Sequence, residues 1–165
     1  MPTTKSRLHA TRIDIPEAKR EALVELLNQR LADTADLSSQ LKQAHWNVKG
    51  MQFQQLHELF DKAHEAIDPL VDEIAERVAT LGGTALGTVR MAAKASKLKE
   101  YPADITAGKD HLGAVRDRLA AYAGANRKAI GESGDLSDPT TEDLLTEVSR
   151  VVDLHLYFVE SHLQG

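Results

Sequence analysis

The chain has 165 residues and a formal net charge of −5, with 42% apolar, 27% charged and 4% aromatic residues. This length and composition fit one globular domain with a single core and exclude a wholly disordered chain. The absence of cysteine excludes disulfides and thiolate metal sites, and the negative charge argues against a folded body that binds nucleic acid. Because no stretch has the character of a membrane span or a signal peptide, we expect a cytoplasmic protein.

The amino-terminal residues show no hydrophobic period, so we predict a flexible basic tail at 1–15 and one domain at 16–165. Pro16 and Glu17 suit the first turn of a helix, where a missing N–H costs little and an acid meets the positive end of the dipole. Up to residue 12 the tail has no acid, and its basic side chains are Lys5, Arg7, His9 and Arg12.

Two long amphipathic helices are predicted next in the chain. Apolar residues at intervals of three and four continue from Leu23 until Asn47–Gly50 breaks the first helix. A second helix runs from about Met51 to Leu81, with Pro69 inside it. The glycine pair that follows is typical of a helix end.

A crossover of about twenty residues follows, and we predict a short helix of its own near Thr88–Ser96. A third helix is predicted from Asp104, as N-cap, to Ile130, and residues 131–140 are predicted as a loop. Asp138 followed by Pro139 opens the fourth helix. The fold class is therefore all-α, a four-helix bundle whose long crossover lets the second and third helices run parallel.

Five side chains on the first two helices are candidate metal ligands. Imidazole and carboxylate together suit iron, zinc or manganese. Four of them lie on the second helix and form the pairs His-x-x-x-Asp and Asp-x-x-x-Glu, and the two members of each pair are one turn apart on one face. The five candidates are His45, His57, Asp61, Asp72 and Glu76.

The rise of the helix separates these pairs too far for one ion. Asp61 and Asp72 are about 16 Å apart along the axis, and His57 and Glu76 about 28 Å, whereas metal bonds are near 2 Å. Either two unrelated sites exist, or a second copy of the helix supplies the missing pair. Both pairings are centred between residues 66 and 67, which favours two antiparallel helices in a twofold dimer with two shared sites.

A purely structural role is the alternative for each of these residues. Carboxylates beside an apolar stripe commonly form a solvated flank, and a single histidine there is commonly a hydrogen-bonded core residue. A helical assembly without metal chemistry therefore stays open as a hypothesis.

The sequence resembles the Dps family of ferritin-like proteins, the miniferritins. The motifs HWNVKG at 45–50, HELFD at 57–61 and DEIAERVATLGG at 72–83 carry the resemblance, which TALGT, YPADI, RKAIGE and LYFVES continue. It covers about residues 16–163. The resemblance implies a ferritin-like bundle and a hollow shell of twelve subunits that oxidises Fe(II), preferably with hydrogen peroxide, and stores ferric mineral.

The resemblance also assigns roles to residues. It implies that His45, His57 and Asp61 come from one subunit and that Asp72 and Glu76 come from its twofold partner. Trp46 matches a family aromatic that traps stray oxidising equivalents, with a simple core role as the alternative. Zinc or manganese can occupy the same ligands.

The sequence predicts the roles of the acids at the start of the fourth helix and of the remaining histidines less specifically. The resemblance suggests a threefold entrance pore lined by Asp138 and Asp143, whereas capping and dipole effects explain Glu142. His64 is expected beside the site or on the surface. His155 and His162 are expected to pack or to form hydrogen bonds.

The basic tail motivates a second hypothesis, a nucleoid-compacting protein with secondary metal chemistry. Three cationic side chains bind DNA weakly, but twelve copies on one shell would add avidity, while the acidic body repels phosphate. DNA contact is therefore predicted only through residues 1–12.

Overall fold

In a computed structural model that describes residues 8–164, the chain forms five helices. No strand occurs within this range, apart from one isolated parallel bridge between Lys49 and Ala107. The predicted all-α bundle with a short helix in its crossover is confirmed. The helices are α1 (Glu17–Asn47), α2 (Phe53–Thr80), α3 (Val89–Ala95), α4 (Gly108–Asp135) and α5 (Pro139–Ser161).

The four long helices pack as two hairpins, α1 on α2 and α4 on α5. Arg77 near the end of α2 bonds Asp138 at the start of α5, so these two helices run antiparallel. Lys49, just before α2, pairs with the segment just before α4, so α2 and α4 run parallel as the long crossover predicts. The core between them is apolar and includes Leu23, Leu27, Leu37, Phe60, Ile67, Ile74, Leu119, Tyr122, Leu145 and Val152.

A row of polar side chains on α1 holds the crossover, residues 81–107, against the bundle. Asn28 donates to the Thr84 carbonyl at 3.1 Å and accepts from the Leu86 N–H at 2.9 Å. Further along, the Lys97 N–H donates to Asp33 at 2.8 Å. Three further bonds continue the row. Gln29 donates to the Ala95 carbonyl, Ser96 donates its hydroxyl to Asp36, and Gln40 donates to the Lys99 carbonyl. Apart from the side-chain bond between Ser96 and Asp36, these bonds satisfy backbone groups that a 27-residue connection without strands leaves unpaired.

Residues 8–15, which the sequence predicts as the end of a mobile tail, lie against the bundle. The His9 N–H donates to the Gly82 carbonyl at 2.7 Å, and Leu8 and Ile15 pack against the core. Gly82 has a φ of 88°, and a Cβ there would lie 2.5 Å from the His9 carbonyl oxygen, so this contact requires glycine. The predicted tail residues 1–7 lie outside the described residues.

Two predicted boundaries of α4 are wrong. The helix begins at Gly108 after Ala107, not after Asp104, because the Thr106 carbonyl accepts the Lys49 N–H and keeps this segment extended. It also continues to Asp135, through half of the predicted loop, where buried Ser133 packs and donates its hydroxyl to the Ile130 carbonyl. Tertiary packing thus overrides the low helix propensity of the two glycines in this stretch.

The predicted start of the last helix is confirmed, since the Asp138 side chain accepts from the Thr140 N–H at 3.2 Å and Pro139 follows it. Pro69 lies within α2, which is continuous from Phe53 to Thr80. Among residues 8–164, no helix combines the length and apolar character that crossing a membrane requires.

Candidate metal centre

His45 at the end of α1 and His57 in the first turns of α2 form a reciprocal pair. Each Nδ1 lies 2.7 Å from the backbone carbonyl oxygen of the other residue. The two rings stack with centroids 3.6 Å apart and an interplanar angle of 19°. The turn between the helices therefore brings two predicted ligands side by side.

These carbonyl contacts fix the tautomer of both imidazoles. A carbonyl oxygen can only accept, so each Nδ1 carries the hydrogen and each neutral ring keeps its lone pair on Nε2. Metal-binding histidines commonly use this arrangement, in which a hydrogen bond from one nitrogen orients the other. His45 and His57 consequently offer two nitrogen donors on one side of the helix pair.

Asp61 supplies a carboxylate one turn after His57. Its Oδ1 lies 3.9 Å from His45 Nδ1, and its side chain is 32% exposed. Lys42 of α1 donates a hydrogen bond to the same oxygen. This bond, aided by nearby imidazoles, lowers the pKa of the Asp61 carboxyl below its usual 3.8. The carboxylate is thus ionised and already paired with a cation.

Asp72 and Glu76 lie elsewhere on α2, and both are exposed. The continuous helix carries them about 16 to 28 Å along its axis from Asp61 and His57. Within residues 8–164, no three His, Asp or Glu side chains are close enough to hold one ion. One chain therefore places His45, His57 and Asp61 near one another without the spacing that a single ion needs, and it leaves Asp72 and Glu76 apart from them.

Three large apolar side chains that lie between His45 and His57 in the chain are exposed. Trp46 is 61% exposed and Met51 is fully exposed. The Phe53 ring lies 4.9 Å from the His57 ring. Exposed apolar groups of this size around a polar cluster are typical of a surface that another protein covers.

The predicted pore residue Asp138 has a different role. It is buried, and Arg77 donates to its two carboxylate oxygens at 3.0 and 2.8 Å. Burial alone would raise the pKa of this carboxyl, but hydrogen bonds from Thr141 and Arg77 outweigh burial and lower the pKa below 3.8. An Asp138 carboxylate held in this way cannot line an open channel.

Asp143 remains a candidate at the surface. It is exposed and shares a shallow depression with Glu73, Glu76 and Glu147. Glu142, for which dipole stabilisation was expected, lies in the first turn of α5. The pore role of Asp143 stays a prediction.

His111, for which no role was predicted, is buried at the start of α4, and its Nδ1 lies 2.7 Å from the Tyr101 hydroxyl. Burial lowers the pKa of its imidazole. Its spacing with Val115 and Tyr122 places it on the buried face of the helix, and this periodicity was the available signal. His155 is buried as expected, whereas His162 is exposed and donates from Nδ1 to the Phe158 carbonyl at 2.7 Å.

Comparison with known proteins adds to this geometry. The ferritin-like domain family matches residues 24–165. The chain is 44% identical over 158 residues to the DNA protection during starvation protein of Agrobacterium fabrum, covering 96% of this chain and 98% of that protein. It is 35% identical over 143 residues to the fine tangled pili major subunit of Haemophilus ducreyi, covering 87% of this chain and 75% of that protein.

Solved structures agree with these matches. DpsA14 from Streptomyces coelicolor superimposes with a TM-score of 0.92 at 32% identity, covering 98% of this chain and 96% of that one. The family match, the sequence identity over nearly the whole length and the shared fold establish that this chain belongs to the Dps family of ferritin-like proteins.

Proposed function

We propose that this protein oxidises Fe(II), preferably with hydrogen peroxide, and stores the ferric product inside a hollow shell of twelve subunits. The observation that carries the proposal is the cluster of His45, His57 and Asp61, with two fixed nitrogen donors and an ionised carboxylate. Neutral imidazole and carboxylate suit Fe(II), and zinc or manganese would bind the same donors.

Each site would be dinuclear and shared by two chains. Two antiparallel α2 helices that cross between Ala66 and Ile67 would place Asp72 of the partner subunit near Asp61, and Glu76 of the partner subunit near His57. The lack of a three-ligand cluster within the described part of one chain supports such completion. The exposed Trp46 and Met51, which lie between His45 and His57 in the chain, are consistent with a covered face.

Fe(II) and peroxide are substrates in this reaction. Two Fe(II) ions each give one electron to hydrogen peroxide, the O–O bond breaks, and two protons complete two molecules of water. Carboxylates stabilise the higher charge of the Fe(III) that forms. Pairing two one-electron donors at one site avoids the release of hydroxyl radical.

Trp46 would protect the site from stray oxidation. It follows His45 directly in the sequence, and 61% of its surface is exposed in the single chain. An indole beside the ligands can donate an electron to an oxidising equivalent that escapes them. The Trp46→Phe variant should keep the rate of iron oxidation and release more radical to a spin trap.

The cellular role we propose is protection of DNA from iron and peroxide in the cytoplasm. The Agrobacterium relative is named a DNA protection during starvation protein. Removing both Fe(II) and peroxide would protect DNA without any contact with it.

The decisive experiment measures oxidation of Fe(II) after anaerobic loading and addition of peroxide. The double variant His57→Ala with Asp61→Ala should lose the rapid phase of oxidation, and His162→Ala, at the exposed histidine directly after α5, should keep it. Oxidation by the double variant at the wild-type rate would refute the proposal.

Sharing between chains has a separate test. In a mixed dimer of His57→Ala and Glu76→Ala subunits, one site has both defects and the other has none. Mixed assemblies should therefore recover oxidation that neither variant shows alone. No recovery in verified mixed dimers would contradict a shared site.

DNA compaction is the second candidate function, supported by the basic side chains Lys5, Arg7 and Arg12. A gel-shift assay should compare the full-length protein with a variant in which these three are replaced by glutamine. This variant keeps the His9 contact to Gly82, which a deletion of residues 1–12 would remove. A salt-sensitive shift that the variant loses would support the hypothesis, and no shift by the wild type would reject it.

A further inference from the structure

A five-residue pattern occurs twice on α2. His57–Asp61 reads His-Glu-Leu-Phe-Asp, and His64–Asp68 reads His-Glu-Ala-Ile-Asp. The second copy begins seven residues after the first, which is nearly two full helical turns. Both copies therefore lie on the same side of the helix, about 10 Å apart along its axis. Only the first copy belongs to the metal centre proposed above.

The second copy takes the same position in the helix pair as the first. His57 Nδ1 lies 2.7 Å from the His45 carbonyl oxygen, and His64 Nδ1 lies 3.1 Å from the Ser38 carbonyl oxygen. Both pairings are centred on position 51, since Ser38 and His64 lie thirteen residues before and after it and His45 and His57 lie six. The antiparallel packing of α1 on α2 thus repeats one histidine environment.

Hydrogen bonding fixes the proton on His64. The Ser38 hydroxyl donates to Asp68 Oδ1 at 2.8 Å, so its single hydrogen is used there. His64 Nδ1, which is 2.9 Å from this hydroxyl oxygen and also faces the Ser38 carbonyl, must therefore be the donor. Neutral His64 keeps its lone pair on Nε2, as His45 and His57 do.

In the part of the chain that the structure describes, no cation pairs with the donors of the second copy. Asp61 is paired with the Lys42 ammonium, whereas Asp68 is bonded to the neutral Ser38 hydroxyl. Asp68 is exposed, and His64 is half-buried. Its Nε2 makes no hydrogen bond within residues 8–164 and is not among the buried unpaired atoms of that range, so it is accessible.

We propose that His64 and Asp68 form a second half-site for a divalent transition metal such as Fe(II), Co(II) or Zn(II). An imidazole nitrogen and a carboxylate one turn apart on a helix can bind adjacent positions of one ion. Ser38 is a positioning residue, because it orients both ligands and touches neither the metal nor the ligand atom Nε2.

Completion of this half-site rests on the dimer proposed above. The crossing between Ala66 and Ile67 pairs Asp68 with Glu65 of the partner subunit. A third ligand would then come from the second chain, as in the first site. The new site would lie nearer the twofold axis than the first and would hold Fe(II) in reserve between the two oxidation sites.

The test is calorimetric titration of the intact assembly with Co(II), which peroxide-free buffer keeps divalent. The background variant His57→Gln with Asp61→Asn removes the first site. It should still bind one class of Co(II), and adding His64→Gln or Asp68→Asn should abolish that class. Gln at 64 can still donate to the Ser38 carbonyl and Asn at 68 can still accept from its hydroxyl, so folding is preserved.

The matched control adds His162→Gln to the same background, because His162 is an exposed histidine that also donates from Nδ1 to a backbone carbonyl, that of Phe158. It should leave Co(II) binding intact, and Ser38→Ala should weaken it about tenfold. Unchanged binding after His64→Gln would overturn the proposal. Glu65→Gln should also weaken Co(II) binding. If it has no effect, the proposal that Glu65 of the partner subunit supplies the third ligand is refuted.

Failure of this inference is distinguishable from failure of the proposed function. Iron oxidation that survives His57→Ala with Asp61→Ala refutes the first site and leaves the Co(II) result at His64 standing. Loss of oxidation in that variant, together with Co(II) binding that is indifferent to His64→Gln, refutes only the second site.

Discussion

Lys42 on α1 donates a hydrogen bond to the Asp61 carboxylate on α2, so an ammonium group occupies an oxygen that we assign to Fe(II). Both side chains are about one-third exposed. A metal ion that binds Asp61 through this oxygen has to displace the lysine. The protein thus carries its own competitor at the first site, whereas no cation among residues 8–164 pairs with Asp68.

The first prediction follows from this pair. Lys42→Gln should bind Co(II) at the first site about fivefold more tightly, because an exposed ion pair is worth at most about 1 kcal/mol. Calorimetric titration measures the change. Lys62→Gln is the matched control. Lys62 is an exposed lysine that follows Asp61 in the chain, and it lies about 100° further around the helix. A gain equal in both variants would show a general charge effect instead.

The second prediction concerns the buried ion pair that joins α2 to α5. Arg77→Met should lower the free energy of unfolding by about 3 kcal/mol, because it leaves the buried Asp138 carboxylate without its partner. Thermal and urea unfolding measure the loss. The exposed pair of Arg116 and Asp117 provides the control, and Arg116→Met should change stability by less than about 1 kcal/mol.

The third prediction concerns pH. Burial lowers the pKa of His155 below 6.5, and its ring contacts the edge of Phe158. As pH falls below 6.5, the unfolded chain binds the proton first, so this histidine contributes stability above that pH and loses it below. His155→Leu should therefore flatten the decline of the unfolding midpoint between pH 7.5 and 5.5. His162→Leu, at the exposed end of α5, should leave the decline as it is.

The fourth prediction concerns the crossover. Asn28→Ala removes one bond to the Thr84 carbonyl and one from the Leu86 N–H, so this end of the crossover should open more often. Hydrogen exchange of amides at 84–86 should accelerate, while those of the α2 core stay protected. Asn47→Ala is the control, because within residues 8–164 the Asn47 side chain bonds only the Gln43 carbonyl of its own helix. Equal exchange in both variants would contradict the role of Asn28.

Periodicity was sufficient to predict the long helices, because each has to bury one apolar stripe. It also placed His57 and Asp61 one turn apart, and the rise of a helix was enough to separate them from Asp72 and Glu76. The Pro139 start was predictable for the same local reason, since a capping aspartate and a first-turn proline act within three residues.

Non-local pairing explains what sequence patterns missed. The Asp138 carboxylate was assigned to a pore because nothing local reveals that Arg77, 61 residues earlier, binds it. The start of α4 was misplaced because Thr106 pairs with Lys49 far back in the chain.

The two histidine pairings centred on position 51 have a consequence for the turn between α1 and α2. Adding or removing one residue within 48–52 would rotate α2 by about 100° relative to α1. His57 and His64 would then lose their carbonyl acceptors on α1 together, so one length change would disable both half-sites. Most surface loops tolerate insertions, but this turn should be fixed in length in any variant that still binds metal.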